Sequence, residues 1–189
     1  IIKIRALLRS QHKIVVRKRD GSNRAQYLLR IGSHKLYDDL CLLGLYPNKS
    51  LTITLPEIPE EYFSHFVRGY FDGDGCVFLE FANGKTQKKI IKRLTVVFTS
   101  GSRAFLEQLG FRLSCVIASQ EYRICQNDRA YQLRYNTDDT VKLFVFLYKG
   151  SLQNLCLSRK LKIFAKYFIL RPSRVNDEIK EVLRVSGMA

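Results

Sequence analysis

Residues 66–75 read FVRGYFDGDG, and this stretch decides the fold. Apolar residues at helical spacing begin just before it, at Tyr62 and Phe63. Gly69 and Gly73 lie four positions apart, so a helix places them on one face, although glycine inside a helix costs about 1 kcal/mol relative to alanine. A face of glycines lets another helix backbone approach closely. The segment therefore predicts a helix that packs against a second helix of the same kind.

Two aspartates, Asp72 and Asp74, stand at the C-terminal end of this helix. The helix dipole disfavours each carboxylate there by about 0.3–1 kcal/mol, and a bound cation would relieve that effect. Mg²⁺ is commonly held by one or two carboxylates, with phosphate oxygens completing its shell. A plain turn is the alternative, because aspartate and glycine are favoured turn residues. An EF-hand loop is excluded, because Cys76 and Asn83 would stand at ligand positions.

The charge of the chain indicates a polyanionic partner. Its 189 residues carry 32 Lys and Arg against 17 Asp and Glu, a formal net charge of +15. An apolar fraction of 46% and an aromatic fraction of 12% indicate a folded protein. Nucleic acid is favoured over an anionic membrane surface, since no long segment combines a basic face with a strongly apolar one. We also see no membrane-spanning run and no signal peptide.

The five cysteines and three histidines do not form a zinc pattern. No two cysteines have C-x-x-C spacing, and all five stand among apolar or strand-like residues. We therefore expect buried free thiols in a reducing intracellular compartment, either the cytoplasm or an organelle matrix.

Turn residues divide the chain into short elements. The predicted strands are 12–20, 27–31, 76–81, 90–100, 122–126 and 131–135. The predicted helices are 1–10, a helix capped by Ser33 and stopped by Gly44, the segment ending at Asp74, 102–113, 137–150 capped by Thr137, and one within 157–168. Residues 46–61 hold three of the four prolines and are the only credible linker, so we divide the chain into 1–56 and 57–189.

An internal repeat relates the two parts. An offset of 104 aligns Tyr27 and Arg30 with Tyr131 and Arg134, and each pair precedes a cap residue, a helix and a glycine. By this offset, residue 1 corresponds to a position inside the helix 102–113. We therefore expect the sequence to be a fragment, or its missing counterpart to be supplied by another copy.

Basic and amide side chains recur on the predicted strands. Arginine and glutamine can read guanine and adenine edges in the major groove, while lysine mostly contacts phosphate. Any single one of these residues could be an ordinary solvated side chain, but as a set they favour DNA. The predicted DNA-binding residues are Arg17, Arg19, Arg30, Lys92, Arg93, Arg123, Gln132 and Arg134.

FVRGYFDGDG resembles the second motif of the LAGLIDADG homing endonucleases. The resemblance extends to GLYPNKS (44–50), FTSGSRAFLEQL (98–109) and LCLSRKLKIF (155–164). It implies an α+β fold of duplicated αββαββα halves, whose saddle-shaped antiparallel sheets straddle the DNA major groove. Residues 1–56 would then be an incomplete N-terminal half, and residues 57–189 a C-terminal half.

The resemblance also implies roles for individual residues. Asp74 would be the catalytic metal ligand, while Gly69, Asp72 and Gly73 would support the helix pair. Lys49 and Lys160 match the catalytic lysines, with an ordinary surface lysine as the alternative for each. Mg²⁺ is the expected ion, with other divalent ions as alternatives. Cleavage needs an acidic residue from each half, so we expect the missing half or a second copy to complete the site.

These observations together predict a Mg²⁺-dependent, site-specific endonuclease that acts on double-stranded DNA. The alternative is a non-catalytic DNA- or RNA-binding protein on the same scaffold, acting in intron splicing or regulation, with intron RNA as its partner. A third reading is the excised nuclease region of an intein, since the chain ends in SGMA without the His-Asn terminus that splicing needs.

Overall fold

Residues 1–19, 22–83, 89–119, 122–150 and 155–188 are described by a computed structural model. They divide into two units, Ile1–Leu42 and Leu43–Ala189. Residues 43–56 pack with the second unit: the Ser102 hydroxyl donates to the Ile53 carbonyl at 2.6 Å. The Leu55 N–H likewise donates to the Gln108 side chain at 2.7 Å. The assignment of 1–56 and 57–189 to two halves of a duplication stays a prediction.

The first unit holds a two-stranded antiparallel hairpin between two helices. Its elements are α1 (Ile2–Leu7), β1 (Ile14–Arg19), β2 (Ser22–Leu29) and α2 (His34–Leu42). The Ser33 hydroxyl accepts a hydrogen bond from the Leu36 N–H at 3.2 Å, as its predicted role as a helix cap requires. The strand predicted at 27–31 ends at Leu29 instead, because Leu29 pairs with Ile14, where β1 begins. Arg30 therefore follows the strand.

The second unit follows the αββαββα order and then adds two helices. Its sheet is antiparallel with strand order β3-β4-β6-β5, which confirms the predicted α+β fold. None of the helices in the described part of the chain has the length and apolar character needed to cross a bilayer. The elements are α3 (Glu60–Asp74), β3 (Gly75–Asn83), β4 (Lys89–Ser100), α4 (Arg103–Ile117), β5 (Arg123–Asn127), β6 (Ala130–Tyr135), α5 (Thr137–Tyr148), α6 (Ser158–Leu170) and α7 (Asp177–Val185), with 3₁₀ turns at Lys49–Leu51 and Pro172–Arg174.

The core lies between one face of this sheet and the helices. Alternate residues of β4 point into it because successive strand residues face opposite sides. These residues pack with the apolar faces of α3 to α6. The fully buried side chains include Leu94, Val96, Phe98, Leu133, Phe71, Leu109, Phe144 and Phe164.

The cap of α5 differs from its prediction. Asn136 caps the helix, because its Oδ1 accepts the Asp139 N–H at 2.9 Å. Thr137 is instead the first residue of the helix, and its Oγ1 accepts the Leu94 N–H of β4 at 3.1 Å. The prediction of Thr137 as the cap is therefore wrong, because its hydroxyl accepts a backbone N–H at the edge of β4 instead of one in α5.

Two cysteines also differ from their prediction. Cys76 and Cys115 are exposed rather than buried. Cys76 stands opposite Val97 on the face of the sheet that points away from the core. The turn predicted between β3 and β4, at 83–89, falls almost entirely outside the described residues.

Candidate active site and nucleic-acid interface

Lys160 binds the C-terminal end of α3. Only 2% of this residue is exposed, so it is not an ordinary surface lysine. Its ammonium donates to the carbonyls of Phe71, of Asp72 at 3.1 Å and of Gly75 at 2.6 Å. The Phe71 carbonyl also accepts the Gly75 N–H. Carbonyls at the end of a helix otherwise lack helical partners, and the negative end of the dipole lies there. The lysine therefore satisfies these carbonyls and offsets the dipole where the two aspartates stand.

Asp72 makes the reverse contact. Its Oδ2 accepts the Leu157 N–H at 2.8 Å, at the N-terminal end of α6. Burial raises the pKa of the Asp72 carboxyl, whereas the bond from Leu157 and the charge of Lys160 lower it. The Asp72 carboxylate of α3 thus lies at the positive N-terminal end of α6, and the Lys160 ammonium of α6 lies at the negative C-terminal end of α3. Each charge is favourable for the helix dipole that it meets. We call these two contacts the α3–α6 exchange.

Asp74 has a different environment from Asp72. It is the last residue of α3, it is exposed, and its carboxylate makes no hydrogen bond within the described part of the chain. It lines a cavity of about 610 Å³ together with Lys49 of the 3₁₀ turn. Asp74 is therefore the carboxylate that remains available to a ligand. Lys160 does not line this cavity but contacts the helix end that carries Asp74.

The exposed side of α3 carries the two helical glycines. A Cβ atom at Gly69 or Gly73 would meet no atom within 4 Å among the described residues. Tyr62 lies on the same side and is 58% exposed, and Phe66 is half-buried between them. We call this side, formed by Tyr62, Phe66, Gly69 and Gly73, the glycine face. Of the three predicted helix-interface residues, Asp72 is the exception, because it contacts α6.

Tyr70 joins the wall of this cavity to the sheet. Its hydroxyl donates to the Thr99 carbonyl at 2.5 Å. Its ring stacks on Phe98 at 5.9 Å and meets Phe105 edge-on at 4.9 Å between centroids. Burial raises the pKa of Tyr70 to about 12. The phenol is thus a fixed, neutral donor in the cavity wall.

We expect Tyr70→Phe to lower the free energy of unfolding by about 1 kcal/mol at neutral pH, the usual net contribution of one hydrogen bond. The unfolded phenol ionises near pH 10, about two pH units before the folded one, so the stability of the wild type falls across that interval. The difference between the two proteins should therefore shrink and reverse as the pH rises. Denaturant titrations at neutral pH and at about pH 11 measure it. Tyr62→Phe is the exposed control on the same helix, and a difference that does not depend on pH would contradict the assignment.

The face of the sheet opposite the core collects four predicted DNA-binding residues. Arg134 stands opposite Val97 on one side and Arg123 on the other, so all three share a face. Gln132 lies two positions before Arg134, and its Oε1 accepts two N–H groups of that arginine, at 2.7 and 3.2 Å. Arg93 lies on this face opposite Glu80. We call this surface the outward sheet face.

The remaining predicted residues are placed as follows. Lys92 is exposed at the irregularity where β3 and β4 shift register. In the first unit, Arg17 is exposed opposite Gln26 of β2, and Arg30 is exposed beyond the end of β2. The side chain of Arg19 falls outside the described residues.

Arg68 is a site residue that the sequence analysis missed. It is 4% exposed, and it donates to the Leu147 carbonyl of α5 at 2.9 Å and to Nδ1 of His65 at 2.7 Å. Burial lowers the pKa of the guanidinium, and the charge of Asp72 opposes this effect. The spacing of Arg68 and Asp72, four apart on one helix, is the signal that could have revealed it. Arg68 ties α3 to α5 and so helps to fix the glycine face.

Comparisons with known proteins agree with this architecture. Residues 61–146, from the second residue of α3 into the last turns of α5, match the family described as the LAGLIDADG-like domain. The resemblance carried by FVRGYFDGDG is therefore confirmed over this range. A search of curated proteins gave no match.

Solved structures of two meganucleases resemble nearly the whole chain. The meganuclease I-SmaMI, bound to uncleaveable DNA, is 11% identical with a TM-score of 0.53, and the match covers 98% of this chain and 81% of that one. The LAGLIDADG meganuclease I-AabMI, bound to uncleaved DNA, is 15% identical with a TM-score of 0.50, and the match covers 98% and 83%. At such low identities the similarity establishes the fold alone.

Proposed function

We propose that this chain is a site-specific endonuclease of the homing-endonuclease type, which hydrolyses phosphodiesters of double-stranded DNA with a divalent metal. One observation carries the proposal: Asp74 ends α3 as an exposed carboxylate without a hydrogen bond in the described part, and it shares a cavity with Lys49. The same unit carries arginines on its outward sheet face. An exposed carboxylate with no hydrogen bond in the described part thus accompanies a basic surface suited to DNA.

The donor set of this cavity fits half of a metal site. Asp74 would supply one oxygen ligand to Mg²⁺, which commonly takes only one or two carboxylates and completes its shell with phosphate oxygens and water. The described residues contain no cluster of three or more acidic, histidine or cysteine side chains that could hold a metal. When bound, the ion would supply an activated water and charge neutralisation at the phosphate. Lys49 would add a positive charge from the cavity wall.

The glycine face provides the place for a second carboxylate. A helix packed against Gly69 and Gly73 would end beside Asp74 and could present its own acidic residue to the same phosphate. The open space at both glycines supports this arrangement. The partner would be the N-terminal half predicted by the internal repeat, or a second copy of this chain.

We expect Gly69→Leu to separate folding from pairing. The chain itself should gain up to about 1 kcal/mol, because leucine is the better helix former and its Cβ meets nothing within 4 Å. Pairing of the two helices should weaken about tenfold or more, since the backbones can no longer approach closely. Chemical denaturation measures the first effect and sedimentation equilibrium the second. Glu61→Leu, off the glycine face, is the control, and unchanged pairing in Gly69→Leu would remove this face from the proposal.

The outward sheet face would read the DNA. Arg134 and Gln132 are already bonded to each other, so part of the ordering cost of both side chains is met before DNA binds. Arg123 and Arg93 extend the basic surface to either side. We propose that these side chains contact base edges, whereas Arg17, Arg19 and Arg30 of the first unit make further contacts.

A non-catalytic DNA- or RNA-binding protein, including an intron-splicing one, is the second candidate. The observation that favours it is that the described residues supply only one carboxylate, Asp74, to the proposed metal site. One carboxylate alone does not hold metal ions on both the attacking and the leaving oxygen of the phosphate. The outward sheet face would serve such a protein equally well. For either function we propose that the protein works in a reducing intracellular compartment.

Cleavage of a randomised duplex library tests the proposed function. The protein is incubated with the library in Mg²⁺ or in EDTA, and the cut ends are sequenced. We expect cuts at one sequence in Mg²⁺ and none in EDTA. Specific duplex or RNA binding without cuts in either condition would favour the second candidate.

A further inference from the structure

A second, smaller cavity lies at the open edge of β4. Strand β6 pairs with β4 only from Val96 to Ser100. Beyond that point the edge of β4 meets the start of α5 and the 3₁₀ turn Pro172–Arg174. The Arg171 guanidinium donates to the Ile91 carbonyl at 2.9 Å, and the intervening cavity has a volume of about 240 Å³. These contacts hold the cavity walls in place.

The charged lining of this cavity is mostly positive. Lys92, Arg171 and Arg174 oppose a single carboxylate, that of Asp138, so three cations against one anion leave two positive charges. Asp138 is already committed, since its Oδ1 lies 2.5 Å from the Arg174 guanidinium. The Lys92 ammonium has no hydrogen-bond or ion-pair partner in the described ranges, and Arg171 uses only one of its five N–H donors on Ile91. The lining therefore has charge and donors to spare.

Two hydroxyls add to this excess of donors. Thr137 Oγ1 already accepts the Leu94 N–H, so its own proton is available to a ligand. Ser173 lines the same cavity, and its hydroxyl makes no hydrogen bond with another described residue. Apart from the committed Asp138, the side chains named here offer N–H and O–H donors. A ligand with several acceptor oxygens and negative charge matches this lining, as a phosphate group does.

We propose that this cavity binds one phosphate of a nucleic-acid backbone, held by Lys92, Arg171, Arg174, Thr137 and Ser173. The inference rests on the proposed function, because it takes DNA as the source of the phosphate. Lys92 lines the cavity and directly precedes Arg93 of the outward sheet face, so a duplex lying on that face would bring its backbone close to Lys92. Such a contact fixes the register of the duplex without reading its sequence.

A double-mutant cycle tests whether one phosphate joins the two sides of the cavity. Lys92→Gln, Ser173→Ala and the double variant are compared for binding to a labelled duplex of mixed sequence over a range of KCl concentrations. If Lys92 and Ser173 share a phosphate, each single change weakens binding and the double variant is weaker by clearly less than the product of the two. The slope of log affinity against log salt should fall by about 0.9 in Lys92→Gln, as for one lost phosphate contact. Lys180→Gln is the control, because α7 packs on α5, on the helical side of the sheet.

A second measurement reads the occupancy of the cavity directly. Phenylglyoxal modification of Arg171, read by peptide mass mapping, is carried out in inorganic phosphate, in chloride of equal ionic strength, and in chloride with the duplex added. We expect phosphate and duplex to protect Arg171 in the wild type, and the protection to be lost in the Lys92→Gln/Ser173→Ala variant.

The outcomes separate the two proposals. Duplex binding with fully additive variants and an unprotected Arg171 overturns the phosphate site and leaves the proposed function standing. Protection by inorganic phosphate without any duplex binding keeps an anion site but overturns both its assignment to DNA and the proposed function. Non-additive effects of Lys92→Gln and Ser173→Ala, together with protection of Arg171 by inorganic phosphate and by duplex, support the inference.

Discussion

Asp74→Asn is expected to lower the rate of DNA cleavage more than about 100-fold, since even groups that only support a metal ligand typically contribute 10–100-fold. Asparagine keeps the size of the side chain but removes the charge that a hard divalent cation prefers. Because Asp74 is exposed and makes no hydrogen bond within the described residues, the fold should tolerate the change. Single-turnover cleavage of the selected target at saturating protein measures the effect.

Binding provides the internal check on the Asp74 result. Duplex affinity measured in EDTA should stay within about threefold of the wild type or improve, because one negative charge near a phosphate is removed. Asp177→Asn is the matched control, since it makes the same chemical change on α7, and it should cleave normally. Undiminished cleavage by Asp74→Asn would show that the exposed end of α3 is not the metal site. An equal loss of duplex affinity and of cleavage would show that Asp74 contributes to DNA binding rather than to hydrolysis.

Lys160→Met is expected to lower the free energy of unfolding by about 3 kcal/mol or more, since hydrogen bonds from a charged donor contribute about 1.5–3 kcal/mol each and are not additive. Methionine fills most of the space of the lysine stem, so lost packing is a minor part of the effect. The carbonyls of Phe71, Asp72 and Gly75 would lose a charged donor in a buried or partly buried place, although Phe71 would keep the Gly75 N–H. Urea denaturation at neutral pH measures the change.

The same variant separates a structural lysine from a catalytic one. Lys162→Met, at an exposed position of the same helix, should change stability by less than about 0.5 kcal/mol and serves as the control. Lys160→Arg keeps the charge and should recover part of the stability. A Lys160→Met protein as stable as the wild type would contradict the α3–α6 exchange. A Lys160→Met protein that was as stable as the wild type but failed to cleave would support the predicted catalytic role of the lysine.

The second unit could be predicted from sequence because its signals are local. The apolar spacing of α3, the glycines within it and the alternation in β3 and β4 each occupy a short stretch of the chain. The prediction failed where two neighbouring residues could both cap a helix. Asn136 and Thr137 are both good N-cap residues, but the Thr137 hydroxyl accepts the Leu94 N–H of β4, and Asn136 caps α5. The end of β2 was likewise set by the start of its partner strand.

The sequence could propose residues for the site but not the contacts that they make. Asp74 and Lys49 do share a cavity. Lys160 could not be recognised as buried from SRKLKIF, because its acceptors come from residues 85 to 89 positions earlier in the chain. Asp72 and Asp74 are chemically alike in the sequence, and only the packing of α6 gives them different neighbours. The motif thus predicted which residues form the site, and the tertiary structure shows which contacts each of them makes.

The α3–α6 exchange has a consequence for how the protein is made. A ribosome that has just added Asp74 must add 86 more residues, 160 minus 74, before the lysine that neutralises the helix end exists. Until that segment has emerged and docked, two acids stand at an uncompensated helix terminus. Asp74, the proposed metal ligand, is therefore synthesised early, and the helix end that carries it is neutralised late. A nascent or prematurely terminated chain therefore contains the FVRGYFDGDG motif but lacks Lys160, which neutralises the end of its helix.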